Sequence, residues 1–294
     1  MDDRVRDILT DLSPAALAAA VKRNLFAFDR YSACSVGAER LEAGGFFRWL
    51  TPVPHAWCNG VICSGAPGAN ATELARETLE YFRAHGMDAF TWWLASGARA
   101  EEWSPILQAC GYGYDQRTPG MALDLDELAH PAATTAEVRP VTDREGLRVW
   151  ARTFSAGFAV SDAFANPLCA LYDSLRGPGS PLRHYVAHLD GEPVATSSLF
   201  LGAGVAGIYD VATLPAARGR GFGSAVTIAP LREARDEGYR VGILQSSPMG
   251  LPVYERLGFR TVCAMEHFFW KAGAGPAPDA APLTSPPGGR TMHG

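Results

Sequence analysis

Residues 218–223 read RGRGFG, which brings three glycines and two arginines together in six positions. Two kinds of chemistry use such a composition. Alternating Arg and Gly occurs in disordered segments that bind RNA, whereas glycines between a strand and a helix let backbone N–H groups close on a phosphate. The neighbours favour the second. YDVATLP ahead of the stretch reads as an apolar strand, and SAVTIAPLREARDEG behind it reads as an amphipathic helix with apolar Val226, Ile228 and Leu231. A helix N-terminus offers unpaired N–H groups and the positive end of the backbone dipole. Arg218 and Arg220 would add charge, and Gly219, Gly221 and Gly223 would keep Cβ atoms away from the anion. Upstream, Asp210 falls in the middle of the apolar strand, an expensive place for an unpaired carboxylate. It is therefore either a proton acceptor or the partner of an arginine. Ser246 and Ser247, at the end of the next strand, could relay a proton, bind an acceptor or simply form a turn. In TPVPHAWCNGVI (51–62), His55, Trp57 and Asn59 recur at period two, so one face of an extended segment would present all three. That face suits either a substrate-binding pocket wall or packing between domains.

These groups need a scaffold, and the chain is long enough for one. Its 294 residues, 47% of them hydrophobic, allow two ordinary domains or one large one. A formal net charge of −5 supplies no global basic field for nucleic acid. The six cysteines, at 34, 58, 63, 110, 169 and 263, form no CxxC pair, which fits reduced thiols of a cytosolic protein. Cys58 and Cys63 lie near His55, but no second cluster completes four zinc ligands, so no metal is expected. The N-terminal MDDRVRDILTDL is acidic and unlike a secretory signal, and no apolar run approaches the roughly 18 residues of a spanning helix. The expectation is a cytoplasmic protein with no membrane partner.

The segment AHPAATTAE (129–137) is rich in small residues and reads as a linker, and from Ala272 onward the chain loses nearly all large apolar residues, as a disordered tail would. The expected bodies are 1–128 and 137–271, with a linker at 129–136 and a tail at 272–294. In the second body, EVRPVT predicts a strand and Asp143 caps an amphipathic helix. A further helix covers about 162–176, Asp190-Gly191 turns a hairpin between 183–189 and 192–201, and a strand spans 205–214. After the helix opened by RGRGFG come a strand at 240–246, a short helix LPVYERLG, and a closing strand at 259–270. The order β-α-α-β-β-β-α-β-α-β predicts an α/β (α+β) fold, a mostly antiparallel mixed sheet flanked by helices, with one parallel crossover.

Arg218-x-x-Gly221-x-Gly223 between that strand and helix resembles the acyl-CoA signature of the GNAT acetyltransferase superfamily, and VYERLGF (253–259) resembles the family's closing helix and strand. The resemblance covers about 137–271. It implies that residues 218–224, including Phe222 and Ser224, surround the CoA pyrophosphate, and that Val211, Ala212 and Thr213 hold the cofactor through backbone groups. It also implies acetyl-CoA as donor and Tyr254 as general acid. A phenol pKa of about 10 lies near that of an alkyl thiol, so proton transfer to the leaving sulfur would be nearly balanced. IYDVAT resembles members with an acid at this strand position, where Asp210 would take a proton directly or through water. The expected acceptor is a small primary amine. A protein or peptide amine, or a non-catalytic acyl-CoA or amine binding protein, is the alternative, and the chain would be a monomer or homodimer.

The first body repeats the second. ATELARETLEYFRAHGMDAFTWWL (71–94) looks like SAVTIAPLREARDEGYRVGILQS (224–246), and SPILQACGYGYDQRTPGMALDL (104–125) looks like LPVYERLGFRTVCAMEHFFW. Aligning Gly86 with Gly238 sets Ala66, Ala69 and Ala71 against Arg218, Gly221 and Gly223. Aligning Gly111 with Gly258 sets Leu107 against Tyr254. The expectation is tandem GNAT-like folds, the first degenerate and without the chemistry of the second.

Overall fold

A computed structural model describes residues 8–95, 97–128 and 136–273. The expected tail beyond Gly273, and the expected linker apart from Ala136, lie outside the described residues.

The first helix, α1 (Pro14–Ser32), starts where the sequence supplies a start signal. Ser13 Oγ accepts a hydrogen bond from the Ala16 N–H at 3.3 Å, and Pro14 takes the first helical position. Strands β1 (Glu39–Ala43), β2 (Phe46–Leu50) and β3 (Gly60–Cys63) follow, then α2 (Ala71–Ala84), β4 (Ala89–Ala95), α3 (Ala98–Ala109) and β5 (Gly113–Asp124). The second half holds β6 (Glu137–Pro140), α4 (Arg144–Gly157), α5 (Asp162–Ser174), β7 (Leu182–Leu189), β8 (Glu192–Gly202) and β9 (Val205–Thr213). It continues with α6 (Phe222–Asp236), β10 (Val241–Gln245), α7 (Leu251–Arg256) and β11 (Arg260–Lys271). This is the order expected from the sequence. Asp143 caps α4 through a 2.7 Å bond from the Gly146 N–H, and Asp190 and Gly191 both take positive φ, at 51° and 87°, in the β7–β8 hairpin.

All eleven strands form one sheet in the order β1-β2-β3-β4-β11-β5-β10-β9-β8-β7-β6. Each half contributes one parallel pair, β3 with β4 and β9 with β10. The strand that closes each half is exchanged. β5 pairs antiparallel with β10, from Val241 opposite Asp124 to Gln245 opposite Gly120, and β11 pairs with β4, from Met265 opposite Ala95 to Lys271 opposite Ala89. β5 and β11 then pair with each other at the centre. The sequence suggests two bodies with a sheet each; the structure has a single continuous sheet. The exchange suits the long closing strands, which are apolar enough to be covered in the middle of a sheet: Phe268 and Trp270 of β11 join Phe82, Phe90, Trp92 and Trp103 in one core.

Helix α1 also crosses between the halves. It belongs to the first half in sequence, yet it packs on β5, β9, β10 and β11, and its Ala20 and Val21 share a core with Val205, Val241 and Ile243. The internal repeat is visible in the helix ends. Gly86 and Gly238 follow α2 and α6 with φ of 71° and 93°, and Gly111 and Gly258 follow α3 and α7 with φ of 87° and 99°. In each pair the glycine occupies the left-handed position that ends a helix.

Candidate active site

The parallel ladder between β9 and β10 is short. Gly242, Ile243 and Leu244 pair with Ala206, Gly207 and Ile208, and there it stops. β9 runs on to Thr213, while the end of β10 turns to the other side, where the Ser246 N–H donates to the Pro119 carbonyl at 2.9 Å. The two strands therefore diverge, and among the described residues no strand lies beside the β10-facing edge of residues 209–213. A bulge sharpens the divergence. Thr196 lies opposite Ala212 and Ser198 opposite Tyr209, so Asp210 and Val211 together face Ser197 alone. Asp210 sits at φ 55°, a left-handed conformation that Asp tolerates better than most residues but that still costs about 1–3 kcal/mol. The Thr196 hydroxyl holds the bulge by donating to the Asp210 carbonyl at 3.1 Å.

The glycine stretch lies just beyond the divergence. Gly219 and Gly221 have φ of 73° and 83°, and Gly221 is the residue on which α6 begins, with no side chain capping the helix. The Phe222, Gly223 and Ser224 N–H groups are thus left at an uncapped first turn. A Cβ on Gly223 would come within 3.5 Å of Thr213 Oγ1, so loop and strand are closely apposed. The two arginines behave differently from the sequence expectation of two free charges. Arg218 forks back onto the scaffold, donating to the Gly157 carbonyl at 2.8 Å and the Thr213 carbonyl at 3.3 Å. It ties the loop to α4 and β9. Arg220 lies over the Phe222 ring, 5.1 Å from its centroid, and remains the exposed charge beside the loop. Gly157 packs so tightly that a Cβ there would meet Ala212 Cβ at 2.8 Å, which fixes the end of α4 against the bare part of β9.

Tyr254 stands on α7, 8% exposed, with its ring edge against Gly250 close to the end of β10. Burial pushes its phenol up to about 12. The near balance expected between phenol and thiol is therefore lost, and the hydroxyl is fully protonated at neutral pH. Ser246 and Ser247 resolve toward the turn reading. Ser246 is buried with its hydroxyl donating to the Ser247 carbonyl at 2.9 Å, and Ser247 Oγ accepts from the Gly250 N–H at 3.1 Å.

Asp210 has no arginine partner among the described residues. The Tyr172 hydroxyl of α5 reaches its Oδ2 at 3.5 Å, and Ser198 of β8 hydrogen-bonds to it in turn. Burial pushes the carboxyl up to about 6, against those two hydrogen bonds, which pull it down. Behind them Ser198 Oγ bonds His184 Nδ1 at 2.8 Å, and burial holds that imidazole down to about 3, so it stays neutral.

A second carboxylate faces the same region. Asp29, near the C-terminal end of α1, is only 7% exposed, and burial pushes it up to about 8. The helix is clamped to β9 beside it: Phe28 stacks on Tyr209 with ring centroids 4.1 Å apart, and the Tyr209 hydroxyl donates to Asn24 Oδ1 at 2.7 Å. Asp29 lacks the signal that marks Asp210, a lone acid within an apolar strand. A helical reading of α1 finds it, since Val21, Leu25 and Asp29 form one row at intervals of four and so place the acid on the buried face.

The segment carrying His55, Trp57 and Asn59 is not the extended strand that period two suggested. Residues 56–58 form a 3₁₀ turn, and His55 Nδ1 accepts the Trp57 N–H at 3.2 Å to start it. Asn59 is fully buried, and its amide is spent on Thr51, Val53 and His55 backbone groups, so it shapes the loop and faces no pocket. The other two do meet the second half. His55 lies 4.6 Å from the Phe164 ring, and Trp57, 48% exposed, stands 5.2 Å from Phe158, itself 45% exposed, by ring centroids. Phe158 directly follows Gly157, so this aromatic wall rises beside Ala212. A separate cavity of about 600 Å³ lies at the β6–β7 edge, lined by Thr142, Arg176, Arg183 and His184. Its arginines are engaged by Asp173 and by Glu233 and Glu237, and it does not include the glycine loop.

Residues 148–259 match the model of the acetyltransferase (GNAT) family. A search of curated proteins found no significant match. Among solved structures, a GCN5-related N-acetyltransferase from Kribbella flavida superposes with a TM-score of 0.61 at 16% identity, covering 90% of this chain and 98% of that one. One from Sphaerobacter thermophilus gives 0.58 at 17% identity over 90% and 95%. A tandem GNAT protein from the clavulanic acid biosynthesis pathway gives 0.53 at 15% identity over the same shares. At these identities the likeness is one of fold, and it extends over both halves. The diverging parallel pair and the uncapped glycine turn thus lie within a segment, residues 148–259, that matches the acetyltransferase (GNAT) family model, and the chain as a whole has the fold of GCN5-related N-acetyltransferases.

Proposed function

We propose that the protein is a CoA-dependent N-acetyltransferase that moves an acetyl group from acetyl-CoA to the primary amine of a small molecule. The observation that carries this reading is the open edge of β9, running from Asp210 to a glycine turn with free N–H groups at the start of α6. The backbone of Val211, Ala212 and Thr213 can pair with the amide-bearing arm of CoA as a strand would. The first turn of α6 and the backbone of 219–224 suit its pyrophosphate, with Arg220 adding charge at the mouth and Arg218 holding the turn in shape. The amine nitrogen attacks the thioester carbonyl, the carbon–sulfur bond breaks, and two proton movements complete the exchange. Asp210 is ionised at neutral pH, since its carboxyl lies at about 6, and takes the proton from the amine. Tyr254, still protonated, donates to the sulfur as negative charge develops there.

Calorimetry with acetyl-CoA, and thiol release with a panel of small amines, test the reading in wild type and Tyr254→Phe. The expected result is acetyl-CoA binding by both proteins, with turnover in Tyr254→Phe lowered on the order of 100-fold. Unchanged turnover would remove the acid role from Tyr254. Binding without turnover of any amine would make the protein a carrier of acyl-CoA, and no binding would overturn the CoA site.

A further inference from the structure

Asp29 has no use in the reaction as written, yet it is placed at considerable cost. Its Oδ2 is buried and has no hydrogen-bond partner. Its neighbour Arg30 turns away to Glu42, at 2.6 Å on the exposed side of the helix. Asp29 and Asp210 act on the same three side chains: Cys58, Tyr172 and Tyr209 are each raised by burial and by the negative charge of both acids. The two acids therefore face one cluster from opposite halves of the chain, Asp29 from α1 and Asp210 from the β9 bulge. Among the described residues no lysine or arginine acts on Asp210, Cys58, Tyr172 or Tyr209, and on Asp29 only Arg30 does, by less than burial opposes it. Burial keeps Asp29 protonated against the smaller pull of Arg30, and an ammonium group brought beside it would supply the charge that lets it ionise. The neighbouring wall of Trp57, Phe158 and His55 offers ring faces and apolar surface, which suit an alkyl chain ending in ammonium groups.

We propose that Asp29 is the specificity-determining residue of the acceptor site, holding a second positive charge on the acceptor, so that the natural acceptor class is a diamine and not a monoamine. The assignment rests on the acetyltransferase reading above and deepens it. One ammonium group of the acceptor pairs with Asp29 while the other gives up its proton to Asp210 and is acetylated. The N-terminal half, without a CoA site of its own, thereby contributes a residue that selects the substrate.

The test is calorimetric binding of a series of α,ω-diamines, each compared with the n-alkylamine of equal chain length, to the full-length protein saturated with CoA. At least one diamine should bind wild type about tenfold or more tighter than its matched monoamine, the effect of one charge-assisted hydrogen bond. In Asp29→Asn the ratio should fall close to one, and Asp29→Glu should restore part of it. Thermal melts confirm that both variants fold, and Asp29→Ser serves as a second neutral variant if Asp29→Asn does not. Equal affinities across the series in wild type, or a preference that survives both neutral variants, would overturn the proposal. The acetyl-CoA affinity measured alongside reports separately on the CoA site: its loss would sink the acetyltransferase reading, while the diamine ratio would still decide the role of Asp29.

Discussion

β3 and β9 occupy equivalent places in the two halves, each paired in parallel with the next strand and each followed by a loop and an uncapped helix. What surrounds them differs. All four residues of β3, Gly60 to Cys63, pair with Thr91 to Leu94, so that ladder is closed to its end. The loop after it is also occupied. The Ser64 N–H donates to the Gly45 carbonyl at 2.8 Å, the Arg99 guanidinium reaches the Ser64 carbonyl, and Trp103 Nε1 donates to the Gly65 carbonyl at 3.0 Å. Leu107, aligned with Tyr254, is a fully buried core residue. In the second half the bulge at Asp210 and the turn at Ser246 pull the strands apart, and Arg218 braces the loop from behind through the Gly157 and Thr213 carbonyls. The same scaffold thus becomes either packing or a candidate site according to whether its backbone groups are already satisfied.

This contrast can be broken at several points. Asp210→Asn should have the largest effect, lowering kcat/KM about 100- to 1,000-fold. In wild type the profile should rise with pH through about 6, as the carboxylate forms, and then level off; in the variant that limb should vanish. Gly221→Val places a β-branched residue at φ 83°, and acetyl-CoA affinity should fall roughly 100-fold by calorimetry. Ala69→Val, at the aligned position of the first half, should leave that affinity unchanged. Asp29→Asn should affect stability. The folded chain keeps Asp29 protonated up to about 8, whereas the unfolded chain releases that proton near 4, so between these values the folded state binds more protons and wild-type stability falls as pH rises. The variant should lack this slope and melt above wild type at pH 8, with a gain of about 1–2 kcal/mol. Trp103→Phe removes one hydrogen bond from the closed loop, which should cost about 1 kcal/mol by denaturant titration and leave kcat unaltered.

Much of the second half can be read directly from its residues. Helix ends are written locally, in Asp143, in Asp190-Gly191 and in the glycines after α6 and α7, and the strand before the glycine turn is marked by its run of apolar residues. Partners across the sheet are not written locally. The alternation in β11 tells which residues share a face, but nothing in it distinguishes β4 from β10 as neighbour, so the strand exchange is invisible until the fold is seen. The site divides in the same way. The turn at 218–223 is a local feature, as is Tyr254 in its short helix. Asp29 acquires meaning only because α1 is carried across to β9, about 180 residues away in sequence. His55, Trp57 and Asn59 show the opposite error. Their spacing fits an extended strand, but Pro52 and Pro54 lead into a turn that the Asn59 amide stitches together, and only the two aromatic rings emerge.

The exchange of closing strands has a consequence for synthesis on the ribosome. When β4, with its Phe90, Trp92 and Trp93, leaves the exit tunnel, the strand that will cover its edge is the last one of the described chain, β11, still some 170 residues from being made. Until then the first half has one unpaired, aromatic-rich edge and β5 has no partner at all. Neither half completes its part of the sheet until β11 has been made, and a chain lacking β11 carries an open strand edge of the kind that recruits chaperones or pairs with another copy.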